Sequence, residues 1–130
     1  MTFLIDTHCW LWWIASPERL SVRAFDIIES GENTILFSAA SSWEIAIKYA
    51  IGKMDLPEPP GEFVPKRLVR DGITSLPVEH SHALHTATLP RHHNDPFDRM
   101  LIAQALLEKV PIMTVDPQIE RYDVQIIRAD

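Results

Sequence analysis

Several things are scarce in this chain, and each scarcity narrows what it can be. One residue of 130 is a cysteine, Cys9, so no internal disulfide framework is available and a reducing compartment suits it. No apolar run reaches membrane-spanning length, and no basic stretch leads into a cleavage-like site, which predicts a soluble, cytoplasmic protein. Glycine is rare, at 4 residues, and there is no internal repeat, low-complexity tract or linker. Basic residues are outnumbered 12 to 18 by acids, giving a net charge of −6. What remains is a chain 46% hydrophobic, long enough for one packed domain over residues 1–130.

Short apolar runs mark buried strands at Phe3-Leu4-Ile5, Thr34-Ile35-Leu36-Phe37, Ile73-Thr74-Ser75-Leu76, Ile112-Met113-Thr114-Val115 and Val124-Gln125-Ile126-Ile127. Helical patterns separate them. One begins at Ser41-Ser42-Trp43-Glu44, where Ser41 and Glu44 have capping-box spacing, and closes near Gly52. A second runs from about Ser81 to Thr88, and Pro57 to Gly61 reads as a loop between helices. A third opens at Asp95-Pro96-Phe97-Asp98, with Asp95 as N-cap and Pro96 at the first helical position. Strands alternating with helices predict an α/β domain with a mainly parallel sheet.

In such sheets ligands bind beyond the carboxyl ends of the strands. Asp6 and Asp116 end strands there, while Glu44 and Asp98 lie near the starts of helices at the same rim. Each has a structural reading: Glu44 completes a capping box, Asp98 complements a helix N-terminus, and Asp116 opens a turn before Pro117. Asp6 is harder to explain by capping alone. Four carboxylates gathered at one edge repel each other unless a cation neutralises them. Oxygen donors select a hard ion, Mg²⁺ or Mn²⁺, which would activate a water and polarise a phosphoryl group. Asp6 and Asp98 would hold it, Glu44 and Asp116 would hold the ion or its waters, and one of these two would accept the water's proton. Thr7 and Thr114 are placed to orient the carboxylates.

With Asp6, Glu44, Asp95, Asp98 and Asp116 set aside the net charge falls to −1, so the imbalance sits at the proposed site. A bound divalent ion would reverse the sign of that rim and draw in a phosphodiester. Arg99 and Lys48, with Arg91 and Lys53, are then phosphate contacts or ordinary solvated charges. The histidines fit zinc poorly: His80, His82 and His85 stand two and three apart, and His92 and His93 are adjacent, suited to ordering the loop before Asp95. Cys9 lies in the apolar segment Cys9-Trp10-Leu11-Trp12-Trp13-Ile14 and reads as a packing residue. That segment is apolar on every side, which places it in the core or partly under another chain.

Four blocks in order carry a family resemblance: Phe3-Leu4-Ile5-Asp6-Thr7-His8, Ser38 to Lys48, His92-His93-Asn94-Asp95-Pro96-Phe97-Asp98-Arg99 through Ala105, and Thr114-Val115-Asp116. Over essentially its whole length the chain resembles the PIN-domain ribonucleases that act as VapC toxins of bacterial toxin–antitoxin systems. The resemblance implies a PIN-like α/β/α sandwich, Mg²⁺- or Mn²⁺-dependent cleavage of RNA, homodimerisation and inhibition by a small cognate antitoxin. By position, Asp6, Glu44 and Asp98 look like the core acids and Asp116 the fourth. Asp95 is an additional acid, either a metal contact or a cap. A catalytically silent PIN-like module that binds RNA or protein is the alternative. A phosphatase with Asp6 as nucleophile is disfavoured, because His8 stands where a second Asp would be needed.

Overall fold

Five strands, Thr2–Ile5 (β1), Thr34–Ser38 (β2), Thr74–Leu76 (β3), Ile112–Thr114 (β4) and Ile126–Arg128 (β5), pair entirely in parallel in the order β3-β2-β1-β4-β5. The computed structural model describes all residues, Met1 to Asp130. Pairing of Phe3 with Ile35 and Ile5 with Met113 sets the central register. The last strand starts later than its apolar run suggests, because the Val124 N–H bonds to the Tyr122 carbonyl in a tight turn.

Successive residues of β1 face opposite sides, and each side has its own core. Phe3 and Ile5 join Ile35, Phe37, Met113 and Ile127 against helices Thr7–Ala15 (α1), Val22–Glu29 (α2), Ala39–Ala50 (α3) and Pro60–Asp71 (α4). Leu4 and Ile112 join Leu101, Ile102 and Ile119 from helices Pro96–Glu108 (α6) and Pro117–Glu120 (α7), with His80–His85 (α5) packed on α6. The result is the expected three-layer α/β/α sandwich. No helix is long and apolar enough to cross a membrane.

Two local expectations are corrected. The helix after β2 is capped by Ser38, whose hydroxyl accepts from the Ala40 N–H at 3.0 Å, so it begins at Ala39 and leaves Ser41 and Glu44 inside it. The strand delivers Ser38 to the helix mouth first, and the downstream capping box never forms. The segment Pro57 to Gly61 is shorter as a loop than expected, because Pro60 occupies the first position of α4.

The aromatic segment is satisfied mostly within the chain's own core. Trp10 is fully buried against Phe37, with ring centroids 4.6 Å apart, and Phe63 stands edge-on at 6.3 Å. Trp13 donates its indole N–H to Asp71 at 3.1 Å, and the Arg19 guanidinium covers the Trp12 ring at 4.4 Å. Burial, together with the neighbouring Asp6 charge, pushes the Cys9 thiol above its ordinary range, consistent with packing and not reactivity.

Helix α6 ends on Lys109 at φ 58°, the one non-glycine residue in the left-handed region. A Cβ there is unfavourable by about 1 kcal/mol, a cost glycine avoids. Lys109→Gly should raise the melting temperature by about 3–5 °C in a thermal scan. A lower melting temperature would mean that the lysine side chain contributes more than its backbone strain costs.

Candidate active site

The strand order reverses at β1, which has β2 on one side and β4 on the other, and the crevice beyond the carboxyl ends of β1 and β4 is where a sheet of this type binds ligands. Asp6 stands there. Its N–H donates to the Met113 carbonyl at 3.0 Å, so the residue leaves the sheet beside β4. One carboxylate oxygen caps α1 by accepting from the Cys9 N–H at 2.8 Å, and the other accepts from the Thr114 hydroxyl. The same Thr114 oxygen accepts from the Asp116 N–H at 3.0 Å, which ties the two strand-end acids into one chain of hydrogen bonds. Asp6 is buried, and that burial raises its carboxyl above the ordinary value while the Thr114 and Cys9 bonds pull it down.

Glu44 is also buried and forms an ion pair with Lys48, one helical turn on, at 2.6 Å. The Thr7 hydroxyl donates to Ser41 at 2.8 Å, fastening the start of α1 to the helix that carries Glu44. Thr7 thus links two helices and makes no bond to a carboxylate, whereas the Thr114 hydroxyl donates to Asp6. Asp116 caps α7 by accepting from the Gln118 N–H at 2.8 Å. Asp95 caps α6, accepting from Phe97 and Asp98 N–H groups at 2.9 and 3.1 Å. Its carboxylate is thereby engaged in the helix start.

Asp98 has a different environment. His93 Nε2 donates to its carboxylate at 3.0 Å, while His93 Nδ1 lies 2.8 Å from the Tyr122 hydroxyl. In the tautomer with Nε2–H on Asp98, Nδ1 is the acceptor for a hydrogen bond from the Tyr122 hydroxyl. Burial pushes the Asp98 carboxyl up to about 6; the His93 bond opposes that rise, and the charges of Asp95 and Asp116 add to it. Repulsion among these three acids is thus felt at Asp98.

Two expected phosphate contacts are changed by these surroundings. Arg99 is buried, and its guanidinium donates to the carbonyls of Pro90 and Thr86, each at 2.9 Å, and to the Tyr122 hydroxyl at 3.0 Å. It is therefore a positioning residue that folds the 86–99 segment onto the C-terminal part of the chain. Lys48 is half-buried and engaged by Glu44. Tyr122, which drew no attention in the sequence, receives Arg99 and meets His93, and so holds the loop that presents Asp98. Its only sequence signal is an aromatic residue isolated between Arg121 and Asp123.

Asp6 and Asp116 are thus linked through Thr114 and Asp98 feels the charge of Asp116, while Glu44 pairs with Lys48 on a helix fastened to the start of α1 by the Thr7 to Ser41 contact. No three His, Cys, Asp or Glu side chains close on a single point suited to an ion. The chemistry of the side chains present nonetheless fits a hard cation: they offer carboxylate oxygens, and a divalent ion would relieve the cost of charge at Asp98, set by burial and by Asp95 and Asp116.

Residues 3–125 match the family model of the PIN domain. This chain belongs to the PIN domain family. Its relatives include Ribonuclease VapC16 of Mycobacterium tuberculosis, 49% identical over 59 residues, which are 45% of this chain and 42% of that protein. Against Ribonuclease VapC22 of the same organism this PIN domain is 28% identical over 123 residues, 93% of this chain and 92% of the relative. The fold is shared with the crystal structure of VapBC2 from Rickettsia felis bound to a DNA fragment from their promoter, with a TM-score of 0.74, 14% identity and full coverage of both chains.

The raised Asp98 carboxyl gives the PIN domain a pH signature. A carboxyl that binds its proton more tightly when folded than when unfolded favours folding below its unfolded pKa, and that contribution is lost as pH rises through about 6. In EDTA, Asp98→Asn should therefore melt higher than the parent at pH 7.5, with the gain shrinking toward pH 5. Equal gains at both pH values, or a loss at pH 7.5, would show that burial and the neighbouring acids do not hold the Asp98 carboxyl above its ordinary value.

Proposed function

We propose that this chain is a divalent-metal-dependent ribonuclease that acts as the toxin of a bacterial toxin–antitoxin pair. The observation that carries this reading is the position of Asp6 and Asp116 at the strand-order reversal, with Asp98 facing the same edge, its charged form disfavoured first by burial and then by the charges of Asp95 and Asp116. Near-complete alignment with a protein named as a ribonuclease supports the reaction, and the likeness to a VapBC assembly supports a partner protein. Asp6, Glu44, Asp98 and Asp116 would hold Mg²⁺ or Mn²⁺. When bound, the ion supplies Lewis acidity at the scissile phosphate and lowers the pKa of an attacking water.

The chain's own residues do the positioning. Thr114 holds one oxygen of Asp6 and leaves its N-cap oxygen on the helix, so this carboxylate has little freedom to swing. His93, itself oriented by Tyr122, fixes Asp98. Lys48 pairs with Glu44 at 2.6 Å and so directs that buried side chain. The half-buried aromatic face of α1, at Trp12 and Trp13, is assigned to a small antitoxin or to the second copy in a homodimer. The cytoplasm is the compartment proposed, where the RNA substrate and antitoxin would be met.

RNA cleavage with Mg²⁺ or Mn²⁺, compared with EDTA, is the test. Asp6→Asn and Asp98→Asn should each lose at least about 100-fold in rate while remaining folded by circular dichroism. Asp95→Asn should stay within a few-fold of the parent, because asparagine caps almost as well. Mn²⁺ should also raise the parent's melting temperature in a concentration-dependent way, and raise that of Asp98→Asn less. A folded parent with neither cleavage nor a metal-dependent shift would leave only the silent binding module. Expression alone should arrest growth, and co-expression of a small antitoxin, sought in the adjacent gene, should restore it.

A further inference from the structure

Beside the acidic rim lies a cleft of about 480 Å³ between the starts of α3 and α6. Trp43 and Phe97 form its aromatic wall, edge to face with centroids 5.4 Å apart. Trp43 is 63% exposed, an unusual position for the largest apolar side chain in a monomeric fold. Each aromatic immediately precedes a candidate carboxylate, Glu44 or Asp98, so the cleft is held in register with the rim by adjacent positions on two helices. Arg91 and Asn94 stand at its edge, with the Arg91 guanidinium 3.4 Å from the Asn94 side-chain oxygen.

Charge identifies the occupant. In a chain of net charge −6 this cleft is lined by Arg91 and Arg99 and by no carboxylate. An exposed aromatic plane, the Asn94 side-chain NH2 as a donor, and the exposed Arg91 charge that meets the Asn94 oxygen are what an unpaired nucleobase with its attached phosphate needs. We propose that the cleft is a base-binding subsite: one unpaired base of the RNA substrate stacks on Trp43 beside Phe97, with Asn94 and Arg91 at its polar edge. This rests on the ribonuclease reading above and adds to it a specificity-determining site for one unpaired nucleotide near the cut. Substrate choice then depends on single-strandedness at that nucleotide.

The test uses Asp98→Asn as the parent, so that RNA binds without being cut, and an unstructured oligoribonucleotide together with versions made abasic at each position in turn. Base stacking on an aromatic side chain corresponds to about a 5- to 100-fold change in affinity. Trp43→Ala should weaken binding by that factor, and Trp43→Phe should recover most of it. One abasic position should produce a similar loss in the parent and little further loss in Trp43→Ala, which is the non-additivity of a direct contact. Equal losses at every abasic position in both proteins would overturn the subsite. If the otherwise wild-type protein cleaves RNA but Trp43→Ala binds as the parent does, the ribonuclease reading stands and the subsite falls. If Trp43→Ala instead changes the mass by light scattering or loses a co-purified partner while RNA affinity is unchanged, the cleft is a protein interface and the proposal is wrong. Absence of RNA binding by Asp98→Asn together with absence of RNA cleavage by the otherwise wild-type protein would remove both readings, whereas cleavage by the latter without any effect of Trp43→Ala on its KM would remove the subsite alone.

Discussion

Parallel pairing of β1 with β4 forces Asp6 and Thr114 to leave the sheet side by side, and the hydroxyl of one then satisfies the carboxylate of the other inside a buried crevice. Much of the site is arranged around that contact. It keeps a charged group in an environment that would otherwise expel it, because a buried carboxylate survives only with donors on its oxygens. It also fixes where β4 turns, since the same threonine oxygen receives the Asp116 N–H. Asp98 is delivered to this edge by a second, independent set of bonds through His93 and Tyr122. The two sets meet only through space, as electrostatic repulsion between Asp98 and Asp116.

The sheet was legible because parallel strands are buried on both faces and stand out as short apolar runs, with Asp6 and Asp116 ending two of them. Asp95 and Pro96 were legible as a helix start for local reasons that need no tertiary context. The start of α3 was ambiguous: Ser38, Ser41 and Ser42 all have capping chemistry, and only the length of β2 decides among them. Helix α2 drew no assignment although Ala24 and Ile28 lie one turn apart on its buried face and Ser21 caps it; at eight residues it is short for a helical period to stand out.

The environment of Arg99 could not be read from sequence at all. Its partners include carbonyls up to 13 residues upstream and a tyrosine 23 residues downstream, and composition alone places arginine at the surface. His93 shows a milder form of the same difficulty. Its nearness to Asp95 suggested loop ordering, but its selection of Asp98 and Tyr122 as partners is a tertiary fact.

Helices α1, α6 and α7 are capped at this rim by Asp6, Asp95 and Asp116, while Glu44 and Asp98 lie within helices and cap nothing. The rim's acids thus fall into two structural kinds. An apolar replacement at a capping acid unsettles a helix start, whereas replacement at Glu44 or Asp98 leaves every cap intact. A chain that kept only this fold would still need caps at positions 6, 95 and 116, and no helix start in it would depend on Glu44 or Asp98. Survival of the three caps alone in a related sequence is therefore a mark of the shared fold and no guarantee of a shared reaction.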